Sequence, residues 1–173
     1  MSTGRKLACK DAVGGISQIF FADYGTLGTA TITAGLVTAF SGTTYTLYQY
    51  DVKSASNLVQ TITSSNDAGT TYFEQSITLV LTKLDAATQV ELYKLITSRP
   101  HAFIKDNNGN YLSVGMTRGC DTNGTIDTGT ALGDMNGYSL TITAQEPLMA
   151  QFVTANLITA KIAGGATPTQ ITP

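Results

Sequence analysis

The fold of this chain is decided by residues 45–83, which read YTLYQYDVKSASNLVQTITSSNDAGTTYFEQSITLVLTK. Two segments rich in Thr and Ser, residues 56–65 and 70–82, lie on either side of Asn66-Asp67-Ala68-Gly69, whose composition is typical of a turn. Both segments alternate with a period of two, as strands do. The stretch therefore predicts a long β-hairpin. Because so polar a hairpin cannot bury itself within a small domain, we expect it to pair with further copies of the same chain.

Each arm of the predicted hairpin has two faces. In the second arm an apolar face alternates with a polar one, so we expect the first in a core and the second in water. In the first arm the division is less clear, because Leu58 and Ile62 share their face with polar residues. The apolar face of the second arm consists of Phe73, Gln75, Ile77, Leu79 and Leu81, and the polar face of Glu74, Ser76, Thr78 and Thr82.

Strand signals also dominate the segment before the hairpin. Residues 18–22, 29–40 and 44–52 are rich in β-branched and aromatic side chains, which favour strands. We expect these three segments to form a first sheet. Residues 138–145 (YSLTITAQ) have the same character and predict a closing strand.

A single convincing helix and a second hairpin follow the long hairpin. The helix is predicted over residues 85–98, with Asp85 as its N-cap and Pro100 preventing continuation. Its apolar side would include Leu92, Leu95 and Ile96. After it, residues 102–105 and 110–114 flank Asp106-Asn107-Asn108-Gly109, and Asn-Gly is the strongest short hairpin signal.

The remaining segments predict loops and arms around one domain. Residues 116–137, rich in Gly, Thr and Asp, predict a long loop that is functional or ordered by a partner. With 173 residues, the chain fits one domain, which we place at residues 17–160. Residues 1–16 would form an N-terminal arm, and residues 161–173 a flexible C-terminal tail.

The composition indicates self-association. Only 13% of the residues are charged, against about 25% in a typical soluble domain, and charged groups are depleted at the centres of interfaces. A surface domain that relies on hydroxyl groups for its solubility is the alternative. The net charge of −2 argues against tight binding of nucleic acid, which needs clustered Lys and Arg.

The sequence predicts neither export nor a membrane span. Leu7-Ala8-Cys9 is too short an apolar run for a secretory signal, and no stretch approaches about 18 consecutive apolar residues. We therefore expect a cytoplasmic protein whose cysteines, Cys9 and Cys120, are reduced thiols, although a single bridge between them stays open.

The search for catalytic or metal-binding patterns predicts no enzyme. His101, the only histidine, has no partner nearby in sequence, so we interpret it as a structural or surface residue. Residues 121–127 resemble a calcium loop, but Gly124 comes too early and Leu132 stands where a closing Glu is needed, so an ordinary turn is the preferred interpretation. Glu74 and Glu146 have no spacing that supports an acid and base pair.

This order of elements resembles that of the tail tube proteins of tailed bacteriophages. The β-rich first half, the long hairpin, the helix, the Asn-Gly hairpin, the variable loop and a last strand GYSLTIT followed by Glu146-Pro147 all occur in this order, between about residues 17 and 155. More remotely, the chain is similar to the tube proteins of type VI secretion systems and contractile injection machines.

The resemblance implies a mainly β fold, a sandwich or barrel with one flanking helix, that assembles into hexameric rings. In that family the long-hairpin strands of neighbouring subunits join into a continuous inner barrel, and stacked rings form a conduit for DNA. The implied partners are further copies of the chain, other tail proteins of the virion and double-stranded DNA as passing cargo, with no cofactor, no metal and no membrane. The implied location is the virion tail, assembled in the host cytoplasm.

Two sets of residues have roles on this interpretation. The lumen face would carry little negative charge beyond Glu74. The same composition would also suit a capsid-decorating or head-to-tail connecting protein, which would not share a hairpin edge around a ring. The predicted lumen residues are Thr61, Thr63, Glu74, Ser76 and Thr78. The predicted inter-subunit residues are Lys53, Asn66, Asp67, Thr70, Asp121, Asn123 and Asp127.

Overall fold

A computed structural model describes residues 10–52, 56–67 and 69–163. Within these ranges the chain is mainly β with two helices, so the predicted fold class is confirmed. The strands before the first helix are β1 (Ile16–Ala22), β2 (Ala30–Thr33), β3 (Leu36–Phe40), β4 (Tyr48–Asp51), β5 (Asn57–Ser65) and β6 (Thr70–Thr82). Then come α1 (Ala86–Thr97), β7 (His101–Asp106), β8 (Tyr111–Val114), β9 (Asp121–Asp127), β10 (Gly137–Glu146), β11 (Phe152–Val153) and α2 (Ala155–Thr159).

The strands form two sheets. The large sheet has the order β2-β3-β11-β8-β7-β1-β4, and the small sheet has the order β5-β6-β10-β9. All neighbours in the small sheet are antiparallel. The large sheet is antiparallel except where β11 runs parallel to β3.

Alternation along the central strands buries the large sheet on both faces. In β1, Ile19 and Phe21 pack towards the small sheet and α1, whereas Phe20 packs into a second cluster with Leu27 and Phe103. Successive side chains of a strand point to opposite faces, so a continuous apolar run such as β1 supplies both clusters. The small sheet, by contrast, contributes only one face to the core.

The long hairpin is confirmed, and it belongs to a larger sheet. β5 and β6 pair from Asn57 opposite Thr78 to Ser65 opposite Thr70. On the predicted core face of β6, Gln75, Ile77 and Leu79 are buried. The other edge of β6 pairs with β10 over ten residues. The second arm is therefore paired on both sides within one chain, whereas the first arm, β5, has no partner on its other edge among the residues that the structure describes.

The predicted helix and Asn-Gly hairpin are also confirmed. Asp85 caps α1 by accepting a hydrogen bond from the Thr88 backbone N–H at 3.3 Å. Leu92 and Leu95 are buried, whereas Ile96 is 47% exposed. Ile96 lines a groove together with Leu92, so part of the apolar side of α1 stays open.

The prediction of one long loop over residues 116–137 is wrong, because the segment contains β9. β9 pairs with β10 from Asp121 opposite Thr143 to Asp127 opposite Gly137. The sequence DTNGTID has hardly any apolar residues and so carries no strand signal. Backbone hydrogen bonds to β10 define this strand, and they do not depend on side-chain type. Residues 121–127 are therefore a strand, and their interpretation as an ordinary turn was wrong.

Residues 29–40 form a hairpin and not one continuous strand. β2 and β3 are joined by Ala34 and Gly35, which have φ angles of +51° and +80°. Positive φ at both central residues is the requirement of a type I′ turn. Ala is an unusual residue for this conformation, which is why the turn carried no sequence signal.

The ends of the domain extend beyond the predicted boundaries. Ile16 already belongs to β1, and Val13 exchanges backbone hydrogen bonds with the Asn108 side chain at 2.8 Å. At the other end, Leu47 bonds to the carbonyl oxygen of Lys161 and the N–H of Ala163, at 2.9 and 2.8 Å. The first three residues of the predicted flexible tail are therefore held on the large sheet, and residues 164–173 lie outside the described ranges.

Candidate assembly surface

The small sheet has one face that the described residues leave uncovered, which we call the open face. Its polar members alternate with the buried residues of β6 and β10. The five predicted lumen residues, Thr61, Thr63, Glu74, Ser76 and Thr78, all lie on this face, because Thr61 stands opposite Glu74 and the others follow the same alternation. The remaining members are Asn57, Val59, Ser65, Thr70, Tyr72, Val80, Thr82, Asp121, Asn123, Thr125, Asp127, Gly137, Ser139, Thr141, Thr143 and Gln145.

The open face is hydroxyl-rich and acidic. None of the four strands of the small sheet contains a Lys or an Arg. Asp121 and Asp127 join Glu74 on this face, since β9 projects them to the same side as Thr143 and Gly137 of β10. The open face thus carries two more acidic residues than the predicted lumen residues, which include only one, Glu74. Both additional aspartates belong to β9, which the sequence analysis assigned to a loop.

The predicted inter-subunit residues fall in two separate places. Asn66, Asp67 and Thr70 are exposed at the tip of the long hairpin. Three others, Asp121, Asn123 and Asp127, lie along β9, which is the opposite edge of the small sheet. Lys53 lies outside the described residues. The structure thus does not bring this set together, but it assigns both groups to the boundary of the same sheet.

The two edges of the small sheet are long and unpaired within the described chain. β5 supplies nine residues at one edge and β9 supplies seven at the other. The edge strands of the large sheet, β2 and β4, have only four residues each. Short edges are a common protection against further pairing, whereas long edges invite it. β5 has no charged residue, and β9 carries Asp121 and Asp127 at its two ends. The small sheet is therefore the surface of this molecule that is best suited to edge-to-edge assembly.

An apolar groove of about 580 Å³ runs between α1 and β9. Val90 and Tyr93 of α1 and Ile126 of β9 line it and are largely exposed. Sequence reasoning missed this feature, because the groove exists only where a helix lies beside a strand that was not predicted. The only local signal was Ile126, an isolated apolar residue in a polar segment.

Three buried polar side chains hold the connection between β8 and β9 against the core. His101 Nδ1 donates to the Gly115 carbonyl oxygen at 2.7 Å, and its Nε2 accepts from the Gly25 N–H at 3.1 Å. Gln75 Oε1 accepts from the Gly115 N–H. Glu146 Oε1 accepts from two successive backbone N–H groups, those of Thr117 and Arg118, at 2.9 Å each. These contacts give all three side chains structural roles.

The geometry separates the carboxylates that could have formed an acid and base pair. Glu146 stands opposite Phe73 and faces the core, while Glu74 stands opposite Gln145 and belongs to the open face. The two carboxylates therefore point to opposite sides of one sheet. The oxygens of Asp121, Asn123 and Asp127 are likewise spread along an extended strand, at intervals of about 6.6 Å or more, and do not converge on one point.

Two further properties concern the described residues as a whole. Within them, no helix is long and apolar enough to cross a membrane. The same part of the chain has no group of three or more His, Cys, Asp or Glu side chains placed to hold a metal ion. Comparison with protein-family models, with curated proteins and with solved structures found no match to this chain.

Proposed function

We propose that this protein is a structural subunit of a bacteriophage tail tube, which forms rings that stack into a conduit for DNA. The observation that carries the proposal is the small sheet, which among the described residues is covered on one face, open on the other and unpaired at two long edges. Joining such sheets edge to edge removes every edge when the ring closes.

The strand directions suit a closed ring. Four successive antiparallel strands leave β5 and β9 running in opposite directions. When a copy is rotated about a central axis, its β5 therefore meets the β9 of its neighbour in antiparallel orientation, and the alternation continues without a break. The contact joins two different surfaces, and such heterologous contacts generate a ring when the rotation between copies closes. The open face then lines the channel, because the large sheet and α1 cover the other side.

The size of the channel favours six copies over three. Six four-stranded sheets make a barrel of about 24 strands. With a strand spacing of about 4.8 Å and a tilt of about 40°, the barrel is about 50 Å wide, and side chains reduce the channel to about 40 Å. Three copies would leave roughly 15 Å by the same geometry, which is narrower than a DNA duplex.

The chemistry of the open face suits passage and not binding. Affinity for a phosphate backbone comes from Lys and Arg that displace counterions, and the four strands of the small sheet have neither. Arg99 and Arg118 lie beside Glu74 at one end of this face, and Arg99 Nε is 3.9 Å from Asp121 Oδ1. Glu74 and Asp127 would repel the phosphates, while the hydroxyl groups keep the wall hydrated. DNA could therefore slide along this wall without being held at fixed positions.

The first test is negative-stain electron microscopy of the purified protein over a wide range of concentrations. The proposal expects rings with a central channel, and stacks of rings at high concentration. A particle that stays a monomer or trimer at every concentration, and also in the presence of tail initiation proteins, would contradict it. Such a result would favour the capsid-decorating or head-to-tail connecting alternative.

The second test changes the charge of the channel wall. In virions assembled with the triple variant Glu74→Lys, Ser76→Lys and Thr78→Lys, we expect normal tubes but impaired DNA ejection, because the added cations would hold the phosphates. The matched control carries Glu74→Gln, Ser76→Asn and Thr78→Asn at the same positions. Normal infectivity of the lysine variant, with normal tubes, would count against a luminal position of this face.

A further inference from the structure

The groove between α1 and β9 is an apolar surface at the edge of the small sheet. Val90, Tyr93 and Ile126 are 57%, 71% and 61% exposed, and Ile96 is also largely exposed. Leu92, Tyr138 and Leu140 form its floor. Large apolar side chains exposed together in one groove mark a site of interaction. The groove continues to the unpaired edge of β9, so its occupant must lie against that edge.

The opposite edge of the small sheet presents two apolar side chains that the described residues cover only in part. Ile62 of β5 is 65% exposed, whereas Leu58 is partly buried against the core of its own subunit. Both belong to the face of the sheet that carries the core, because Leu58 stands opposite Ile77 and Ile62 opposite Phe73. β5 contains no charged residue and no proline, so it lacks the usual features that block pairing at an edge.

We propose that β5 of a neighbouring copy pairs with β9, and that Ile62 and Leu58 of that copy fill the groove beside α1. A strand added to a sheet keeps the alternation of faces. Side chains on the core face of the added β5 therefore project to the same side as Ile126, which is the side on which α1 lies. This inference rests on the proposed ring and identifies which residues close it.

The expected stagger between neighbouring sheets agrees with this contact. A barrel whose strands tilt by about 40° requires a shift of about four to five residues at each boundary between four-stranded sheets, and only the even value, about four, keeps the alternation of faces. Within one sheet, Thr122, Ile142 and Ile77 stand opposite one another in a row across three strands. Without a shift, Leu58 of the next copy would stand opposite Thr122 and extend this row. A shift of about four residues towards the hairpin tip sets Ile62 opposite Thr122 and Leu58 opposite Ile126. Of the two directions of shift, this one covers both apolar side chains.

The first experiment compares one substitution on the two faces of β5. Ile62→Asp would bury a carboxylate in the groove, so we expect association to weaken at least about tenfold, as measured by analytical ultracentrifugation and by ring counts in micrographs. Val59→Asp is the matched control, since Val59 is 49% exposed on the same strand but lies on the open face. Circular dichroism and thermal melting check that both variants stay folded as monomers, which the exposure of the two positions predicts.

The second experiment traps the contact by a crosslink. Ile62→Cys and Tyr93→Cys are made as separate proteins in a Cys9→Ser background, in which Cys120 is buried. We expect a short bismaleimide to join the two proteins when they are mixed, and to leave each protein alone without a covalent dimer. Efficient crosslinking of Ile62→Cys to itself would mean that two β5 edges pair about a twofold axis, and would overturn the inference.

The outcomes separate this inference from the proposed function. Normal rings of Ile62→Asp, with no crosslink between the mixed proteins, would overturn the groove contact and leave the tube proposal intact. Crosslinked open chains without rings would support the groove contact and contradict the ring. Absence of both rings and crosslinks would contradict both proposals.

Discussion

At the scale of single residues, Cys120 is a thiol that the fold makes unreactive. It is fully buried, and its Sγ lies 3.7 Å from the Val114 carbonyl oxygen. Burial raises the pKa of this thiol to about 12; a hydrogen bond with the Ala102 backbone opposes this rise, and the nearby carboxylates of Glu146 and Asp121 add to it. Since only the thiolate is a nucleophile, we expect a Cys9→Ser variant to react with a maleimide at pH 7 only after unfolding. The measurement is mass spectrometry of labelled protein with and without denaturant, and rapid labelling of the native protein would contradict the prediction.

A second prediction at this scale concerns Asp106, at the turn between β7 and β8. Burial raises the pKa of its carboxyl group, but hydrogen bonds from the side chains and backbone N–H groups of Asn110 and Asn108 outweigh this effect and lower the pKa below its usual value of 3.8. Because the pKa is lower in the folded state, the ionised carboxylate stabilises the folded state at pH values above the unfolded-state pKa. This stabilisation is lost as the pH falls through the folded-state pKa.

The test of this linkage compares the wild-type protein with Asp106→Asn. We expect the difference in their free energies of unfolding to be largest near neutral pH and to shrink as the pH falls below 3.8. Denaturant unfolding at a series of pH values measures it. A difference that stays constant down to about pH 2 would show that the carboxylate does not contribute through its charge.

At the scale of elements, the β2–β3 hairpin contains a strained turn. Ala34 has a φ of +51°, and a residue with a Cβ atom pays about 1 kcal/mol or more in this conformation, although Asn tolerates it well. We therefore expect Ala34→Asn to raise the free energy of unfolding by about 0.5 kcal/mol, and Ala34→Val to lower it by 1 kcal/mol or more. Urea unfolding of the two variants tests this, and a stabilising Ala34→Val would contradict the turn.

Elements with local signals were predicted well, and elements without them were not. The long hairpin, α1 and the β7–β8 hairpin each carry alternation, a cap or an Asn-Gly turn within a few residues. β9 carries no such signal, because its partner β10 lies ten residues further on and its own side chains are polar. The same holds for the candidate site. The alternation of the hairpin strands predicted that the five open-face residues share one face, whereas the groove could not be predicted without β9.

At the scale of the whole molecule, residues 161–163 close the large sheet beside Leu47. A chain that stops after Ala163 keeps both backbone hydrogen bonds of Leu47, whereas a chain that stops after Ala160 loses them. Leu47 is fully buried, so its unpaired backbone groups would cost about 3 kcal/mol in total. We expect the chain that stops after Ala160 to melt at a clearly lower temperature than the chain that stops after Ala163, as measured by calorimetry. Equal melting temperatures would contradict a structural role for these residues.

The sequence by itself determined the mainly β class, the long hairpin with its polar and apolar faces, the capped helix and the Asn-Gly turn. Each of these follows from the side chains of a few neighbouring residues, whose preferences act before the chain is compact. Only the tertiary structure decided that β6 pairs with β10, that β9 forms the far edge, and that Ile126 lies beside α1 across an apolar groove. The physical reason is that strand pairing over long distances along the chain is made by backbone hydrogen bonds, which every residue except proline offers alike.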